Sequence, residues 1–293
     1  MKKVFDLEKQ TIEQMRHKFI NLSKRTPLPK GTIVEKTTVA GMSAEWVRAA
    51  NVPKENQNSI LHFHGGGFAG SCDTHRSMAA LISKACAVRV LIVEYRLAPE
   101  YKYPAATDDC LSAYRWLIEQ GSSPGSIVMG GDSFGAGLAL MTLLSLRDAG
   151  GPLPAAAYLF SPWDFIQFDG ESYNSRARLD PLNHRESFTV CAHSYIDSSN
   201  PEPVSLNNQN LEGMPDLFIQ VGDHEIVLSD SIRIAELAKK AGVNVTLEVW
   251  DNMWHVFQGF AAMMPEAKQA LDNVGAFVGK HLHDTYKVRK ETN

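Results

Sequence analysis

Apolar and polar residues alternate with two different periods along the chain, and each change of period marks a new element. Apolar residues first recur every three or four positions, which predicts an amphipathic helix. The apolar stripe of that helix consists of Ile12, Met15, Phe19 and Leu22. Two alternating runs, 32–39 and 44–50, then flank Gly41 and predict a β-hairpin. The predicted elements that follow are strand 59–64, helix 77–87, strand 88–95, helix 107–120, strand 126–130, helix 134–149, strands 155–160 and 216–221, helix 232–241, strand 245–250 and helix 266–281.

Strands separated by helices indicate the α/β class, because the crossover between two parallel strands covers one face of their sheet. We therefore expect a mainly parallel central sheet of about eight strands, flanked by helices on both faces. Residues 165–211 interrupt the alternation, since they are polar and contain several prolines. Long inserts in compact domains are commonly lids or binding loops. The prediction is a single domain over 1–293, with a helical cap formed by about 1–25 and 165–211.

Composition and charge exclude several classes of protein. Apolar residues make up 44% of the chain and charged residues 21%, which is ordinary for a globular protein with a large core. The net charge of −4 gives no electrostatic basis for nucleic-acid binding. No apolar run is long enough for a membrane helix, and the N-terminus lacks the apolar centre of a secretory signal. The four cysteines contain no CxxC pair, so we expect reduced thiols and a cytoplasmic location instead of a zinc site or disulfide scaffold.

The stretch GDSFG at residues 131–135 matches the pattern G-x-S-x-G. It follows a predicted strand and opens a long helix, which is the setting of a nucleophile elbow. In such an elbow a strained turn presents Ser133 above the sheet, and its neighbours Gly131 and Gly135 leave room for the turn. Two other interpretations are a phosphate-binding loop and a purely structural tight turn. The stretch lacks the Gly-Lys-Ser/Thr ending of a P-loop and the order of a dinucleotide fingerprint.

A serine that attacks an acyl carbon needs donors for the oxyanion, and a glycine triplet offers them. The stretch HGGG at 64–67 follows a predicted strand well before Ser133. We expect the backbone amides of Gly66, Gly67 and Phe134 to form the oxyanion hole; the alternative is a flexible surface loop. The pair His62 and His64 has metal-ligand spacing, but no acidic or cysteine partner lies nearby. No metal site is therefore expected.

The general base should lie late in the chain, since triads on this kind of scaffold run Ser…Asp/Glu…His. His255 follows the predicted strand 245–250, and open α/β sheets build their sites at the carboxyl ends of strands. The orienting acid should also follow a strand. Asp223 is the first acidic residue after strand 216–221 and is the expected partner of His255, with Glu225 and Asp230 as rivals.

These motifs resemble the bacterial hormone-sensitive-lipase-like (family IV) carboxylesterases of the α/β-hydrolase superfamily. The matching stretches, in the family's order, are HGGG at 64–67, EYRLAPEYKYPAATDD at 94–109, GDSFGAG at 131–137, SPW at 161–163, VGDHEIVLSDS at 221–231 and MWHVF at 253–257. The stretch at 220–257 is most similar to the branch that includes monoterpene ε-lactone hydrolases and acetyl esterases. The resemblance implies the α/β-hydrolase fold, the triad Ser133, Asp223 and His255, and the same three oxyanion donors.

The chain departs from the family's pattern at two positions. Glu94 stands where the family usually has aspartate, and Phe134 follows the serine where the family commonly has alanine. The bulk of Phe134 leaves its amide available but reshapes the acyl pocket. We expect this change to affect the substrate preference more than the mechanism.

The expected function is hydrolysis of small to medium, uncharged carboxylic esters through an acyl-enzyme, with no metal or organic cofactor. The substrate is expected to contact apolar side chains, for each of which core packing is the alternative: Met15, Phe19, Trp163, Phe165 and Trp254. A lactone hydrolase acting on cyclic terpenoid-like esters would use the same residues. A non-catalytic small-molecule receptor is a more distant alternative. The last strand is a candidate edge for pairing two subunits as a homodimer.

Overall fold

The structure is a computed structural model, and it describes residues 11–24, 26–164, 168–196 and 209–282. Eight strands form one sheet in the order β1-β2-β4-β3-β5-β6-β7-β8. The strands are β1 Ile33–Val39, β2 Met42–Arg48, β3 Ser59–Phe63, β4 Arg89–Val93, β5 Ile127–Asp132, β6 Ala156–Phe160, β7 Asp216–Gly222 and β8 Val245–Trp250. The pairs β1–β2 and β2–β4 are antiparallel, and the pairs from β4 to β8 are parallel.

Helices cover both faces of this sheet. They are α1 Ile12–Ser23, α2 Cys72–Cys86, α3 Ala105–Glu119, α4 Phe134–Asp148, α5 Ser172–Ser175, α6 Arg185–Tyr195, α7 Leu228–Lys240 and α8 Pro265–Leu282. One hydrophobic core lies between the sheet and α3, α4 and α7, and a second lies between the sheet and α2 and α8. Every residue of β3, β5 and β6 is buried, which explains their continuous apolar character. The predicted α/β class, with a mainly parallel sheet of eight strands, is confirmed.

The helix that follows Ser133 lies at the centre of the molecule. All but three of the residues of α4 are buried, because neighbouring elements cover the helix on all sides. Gly135 in its first turn lies against the backbone of Phe63 and His64, where a Cβ atom would collide with their carbonyl groups. This close approach brings the start of α4 next to the end of β3. The nucleophile turn and the HGGG loop are thereby held together.

One helix starts earlier than the sequence predicts, for a clear reason. Helix α2 begins at Cys72, five residues before the predicted start, because Ser71 and Thr74 form a capping box in a polar stretch. In the insert, the described residues form two helices, α5 and α6. The expected cap of about 1–25 and 165–211 falls partly outside the described residues and stays a prediction. None of the described helices is both long and apolar enough to span a membrane.

Candidate active site

Ser133 occupies a strained turn between β5 and α4. Its backbone has φ 52° and ψ −118°, a conformation that costs about 1–3 kcal/mol in a residue with a side chain. The turn is held by the Ser133 amide, which donates to the Phe160 carbonyl over 2.8 Å. Gly131 lies so close to the Gly135 backbone that a side chain at position 131 would not fit. This is the geometry that the G-x-S-x-G pattern predicts.

The imidazole of His255 contacts the Ser133 hydroxyl directly. Nε2 of His255 lies 2.8 Å from Oγ of Ser133, and Nδ1 lies 2.7 Å from Oε2 of Glu225. A carboxylate only accepts hydrogen bonds, so Nδ1 carries the proton and Nε2 is free to accept the proton of Ser133. His255 is buried, in the loop that follows β8. The arrangement can therefore move a proton from the serine to the histidine.

Glu225, and not the expected Asp223, is the carboxylate beside His255. Its side chain is fully buried, and Oε1 accepts hydrogen bonds from the Ser161 hydroxyl at 2.8 Å and the Gly222 amide at 2.6 Å. Three contacts thus fix both oxygens of the carboxylate.

The expectation that Asp223 contacts His255 is wrong because of how the chain turns after β7. The Asp223 amide still donates to Trp250 on the neighbouring strand, so its side chain points away from the site. Its carboxylate accepts from the Asn252 amide at 2.6 Å and is about one-third exposed. The other rival, Asp230, accepts from the Tyr173 hydroxyl at 2.7 Å.

The electrostatics of His255 suit a general base. Burial by itself lowers the pKa of the imidazole, but the hydrogen bond and negative charge of Glu225 outweigh it. The pKa of His255 is therefore raised above its ordinary value. A more basic imidazole accepts the serine proton more readily, and the buried carboxylate stabilises the imidazolium that forms.

The glycine loop after β3 lies on the same side of the site as Ser133. Gly66 and Gly67 have φ of 87° and 54°, a region that favours glycine, and a Cβ on Gly66 would be only 3.0 Å from the Gly70 backbone. Neither of their amides donates a hydrogen bond to another residue in the described part of the chain. Gly66, Gly67 and Phe134 all line the cavity that holds Ser133. The structure thus brings the three expected oxyanion residues together.

The cavity above Ser133 has a volume of about 230 Å³ and mostly apolar walls. Three of the expected substrate contacts, Met15, Phe19 and Trp163, line it, whereas Phe165 lies outside the described residues. Trp254 is not among the described residues that line the cavity; its ring packs on Phe260 at 5.6 Å and against the cluster around Met253, and its contact with substrate stays a prediction. The lining residues that the sequence reasoning missed as substrate contacts are His75, Asp132, Leu182, Asn183, Ser187, Phe188, Cys191, Val256 and Phe260.

Comparison with known proteins agrees with this geometry. A family model described as an alpha/beta hydrolase fold matches residues 60–259. The chain belongs to the α/β-hydrolase fold family. An acetyl-hydrolase of Streptomyces hygroscopicus is 39% identical over 86% of this chain and 83% of its own length. An esterase of Acinetobacter venetianus is 36% identical over 82% of this chain and 79% of its own length.

Solved structures place this α/β hydrolase among hormone-sensitive-lipase-like proteins. An esterase from the bacterial hormone-sensitive lipase family superimposes with a TM-score of 0.90 at 39% identity, covering 94% of this chain and 93% of that one. An esterase/lipase from an uncultured bacterium gives a TM-score of 0.89 at 40% identity, covering 96% and 95%. The family resemblance expected from the sequence motifs is confirmed.

Asp132, next to the serine, connects the nucleophile turn of this α/β hydrolase to its glycine loop. Its buried carboxylate accepts from the Gly65 amide at 3.0 Å and lies 3.1 Å from Nε2 of His62 and 3.3 Å from Nε2 of His75. Burial alone would raise the pKa of Asp132, but His75 and His62 hold it below its usual range. The carboxylate therefore stays ionised. The sequence reasoning missed this role, because the position is variable in the pattern G-x-S-x-G.

His64, at the start of the glycine loop, has a structural role. Nδ1 of His64 lies 3.0 Å from the Gly65 carbonyl oxygen, and its ring stacks on Tyr95 at 4.2 Å between centroids. Burial lowers the pKa of His64 to about 3, so the ring is neutral. Among the described residues no group of three or more histidine, cysteine or acidic side chains is placed to hold a metal ion. The loop is thus held by the packing of the neutral His64 ring on Tyr95 and by the hydrogen bond from the Gly65 amide to Asp132.

Proposed function

We propose that this α/β hydrolase is a serine carboxylesterase that hydrolyses small to medium, uncharged carboxylic esters. Ser133 is the nucleophile, His255 the general base and Glu225 the carboxylate that orients it. One observation carries the assignment, namely the continuous contact from Ser133 Oγ through the His255 ring to the buried Glu225, at 2.8 and 2.7 Å. The esterases and acetyl-hydrolases among its relatives support the same reaction class.

In the first half of the reaction, Oγ of Ser133 attacks the ester carbonyl while its proton moves to Nε2 of His255. The carbonyl oxygen becomes an oxyanion, which the amides of Gly66, Gly67 and Phe134 stabilise. The imidazolium then gives its proton to the leaving alcohol, and the C–O bond breaks. An acyl group remains on Ser133.

In the second half, water replaces the alcohol. His255 takes a proton from the water as it attacks the acyl carbon, the same amides hold the second oxyanion, and the proton returns to Oγ as the acid leaves. Glu225 keeps its charge throughout and holds the proton on Nδ1. Every proton transfer therefore passes through one nitrogen atom, Nε2 of His255.

The substrate class follows from the walls of the cavity. The described lining residues include no lysine or arginine that would pair with a charged carboxylate or phosphate on the substrate. The walls are mainly apolar, and the volume of about 230 Å³ suits a small molecule. An uncharged ester of modest size fits this environment.

The alternatives have less support. The relatives reported above are esterases and acetyl-hydrolases, which does not favour the lactone hydrolase. A receptor would not require the contact between Ser133 and His255.

A homodimer through β8, which is an edge of the sheet, and a cytoplasmic location remain predictions. All four cysteines are free thiols, which is compatible with that location.

The experiment that tests the proposal combines turnover with covalent labelling. The purified protein should hydrolyse 4-nitrophenyl butyrate, and Ser133→Ala should lower turnover on the order of 10⁶-fold. An alkyl fluorophosphonate should add one equivalent to the wild-type protein, with peptide mapping placing it on Ser133. Absence of both hydrolysis and adduct, or an adduct on another serine, would contradict the proposal.

A further inference from the structure

The carboxylate of Asp180 is buried between a wall of the cavity and the turn that carries Glu225. The exposed fraction of Asp180 is 0%. Its Oδ1 accepts from the amides of Leu182 and Asn183, each at 2.9 Å, and its Oδ2 accepts from the amide of Ile226 at 3.1 Å. Both oxygens act as acceptors, which is the pattern of an ionised carboxylate. One side chain thus joins two segments that lie 46 residues apart in the sequence.

The two segments belong to different parts of the site. Leu182 and Asn183 lie in the insert and line the cavity. Ile226 lies in the acid turn, which consists of residues 223–227 between β7 and α7 and contains Glu225. The carboxylate therefore connects a wall of the substrate cavity with the turn that supplies the orienting acid.

We propose that Asp180 is a positioning residue, which holds the acid turn in the place where Glu225 meets His255. The inference rests on the proposed esterase function and adds a residue that acts through Glu225. Ile226 is fully buried, so its amide has no access to water. A buried amide that loses its acceptor is unfavourable, and the turn would have to shift to find another one. Because Glu225 directly precedes Ile226, such a shift would move the carboxylate away from the imidazole.

Two further hydrogen bonds from the insert reach the same turn. Oγ of Ser172 donates to the Ile226 carbonyl at 2.6 Å, and Nε of Arg176 donates to the Asp223 carbonyl at 2.7 Å. These contacts hold the backbone of the turn, in the same way as the bond from the Ile226 amide does. Asp180 differs from Ser172 and Arg176 because its other oxygen holds the cavity wall.

Asparagine at position 180 would separate the two contacts of the carboxylate. An amide has one acceptor oxygen, whereas three backbone amides donate to Asp180. The oxygen satisfies more donors where it faces Leu182 and Asn183, and the NH₂ group then faces the Ile226 amide. Asp180→Asn should therefore keep the cavity wall and release the acid turn. Asp180→Ala should release both.

A released acid turn should affect turnover more than substrate binding. Displacement of a catalytic group by about 1 Å costs on the order of 10²-fold, so Asp180→Asn should lower kcat by that factor and leave KM within about twofold. Asp180→Ala should lower kcat to a similar extent and also raise KM about fivefold, because Leu182 and Asn183 lose their anchor.

The pH profile gives a readout that a smaller folded fraction would not change. Three carboxylates face the His255 ring from the acid turn, the insert and the end of β5, namely Glu225, Asp180 and Asp132, and all three raise the pKa of the imidazole. The base is active when neutral, so activity falls as the pH drops through this pKa. Loss of the Asp180 charge should therefore move the fall in kcat/KM to lower pH, by less than in Glu225→Gln.

The test is a double-mutant cycle of Asp180→Asn and Glu225→Gln with 4-nitrophenyl butyrate as substrate. In the wild-type background Asp180→Asn should lower kcat on the order of 10²-fold. In the Glu225→Gln background it should lower kcat by less than about threefold, because the carboxylate that Asp180 positions is already gone. Denaturant unfolding of each variant measures the folded fraction.

Asp216→Asn is the matched control, since it makes the same chemical change on the strand that leads to the acid turn. Asp216 is the first residue of β7, at the end of the strand away from the turn, and its carboxylate accepts from the Asn244 side chain at 2.6 Å. This variant should keep the kcat and the pH profile of the wild type.

The inference is overturned by equal losses of kcat from Asp180→Asn in the two backgrounds, by a wild-type kcat, or by a wild-type pH profile in this variant. If Asp180→Asn does not fold, Ser172→Ala takes its place in the cycle, since Ser172 also holds the backbone of Ile226. It should lower kcat about tenfold in the wild type and less than about twofold in Glu225→Gln, and equal losses would again overturn the inference.

Failure of the inference and failure of the proposed function give different results. If Asp180 has no effect, the wild-type protein still hydrolyses the ester and still forms the fluorophosphonate adduct on Ser133. If the wild-type protein shows neither hydrolysis nor adduct, the proposed function itself fails.

Discussion

Oε2 of Glu225 lies 2.7 Å from Nδ1 of His255, although the two residues are separated by a helix and a strand. This contact links the end of β7 to the loop after β8 and leaves Nε2 of His255 facing Ser133. Glu225 is also the main group that raises the pKa of His255, with smaller contributions from Asp180 and Asp132.

The first prediction concerns that pH dependence. His255 acts as a base only when neutral, so kcat/KM should fall as the pH drops through its pKa. Because Glu225 raises this pKa above the ordinary 6.5, the acid limb should have its midpoint above pH 6.5. In Glu225→Gln the charge is lost while burial still lowers the pKa, so the limb should move to lower pH. Initial rates from pH 4.5 to 9 in constant ionic strength measure it; an unchanged limb in the variant would count against the pairing.

The second prediction concerns Asp132. Asparagine at this position keeps an acceptor for the Gly65 amide but removes the charge that faces His62 and His75. We expect Asp132→Asn to lower the free energy of unfolding by about 3 kcal/mol at pH 7, as for other broken buried pairs. A misplaced oxyanion loop should lower kcat on the order of 10²-fold with little change in KM.

Denaturant unfolding and steady-state kinetics on the same preparations check both effects of Asp132→Asn. Thr142→Val is a useful control, since Thr142 is buried on α4 and, in the part of the chain that the structure describes, its hydroxyl donates to the Leu138 carbonyl of the same helix and not to the site. The kcat of Thr142→Val should be nearly the same as that of the wild type. Loss of stability without loss of kcat in Asp132→Asn would show that Asp132 has no effect on the loop.

The third prediction concerns the position of α1 over the cavity. Arg16 joins this helix to the body of the protein, since its Nε donates to the Phe68 carbonyl at 2.8 Å and its Nη1 pairs with Glu100 at 2.7 Å. The contacts are partly exposed and worth only about 1 kcal/mol, so Arg16→Ala should raise KM about fivefold with kcat nearly unchanged. Glu13→Gln, an exposed change on the same helix, should alter neither. Equal KM values for Arg16→Ala and the wild type would show that α1 does not help to bind substrate.

Much of the fold follows from local pattern. The buried strands are short continuous apolar runs, and the helices between them are long and periodic, so the parallel sheet and the place of Ser133 and His255 could be predicted. Both residues directly follow a strand, or lie in the loop after one. Their positions at the carboxyl edge of the sheet can therefore be predicted without knowledge of side-chain packing.

The acid could not be chosen from the sequence, because Asp223 and Glu225 both follow the same strand within three residues. Which one turns inward depends on the hydrogen bonds that Glu225 accepts from the Gly222 amide and from the hydroxyl of Ser161, which directly follows the neighbouring strand β6. Neither contact leaves a periodic signal. Phe188 and Cys191 line the cavity but could not be predicted either, because they belong to a polar insert without a periodic pattern.

The most direct test of the account compares Glu225→Gln with Asp223→Asn in one turnover assay. Both changes replace a carboxylate by an amide of similar shape, two residues apart. Glu225→Gln should lower kcat about 10⁴-fold, as expected when the orienting carboxylate of a triad is lost. Asp223→Asn should stay within about tenfold of the wild type, since among the described residues the Asp223 carboxylate contacts the Asn252 amide and His224 and not His255. The reverse order of the two kcat values would contradict the assignment of Ser133, His255 and Glu225 as the catalytic triad.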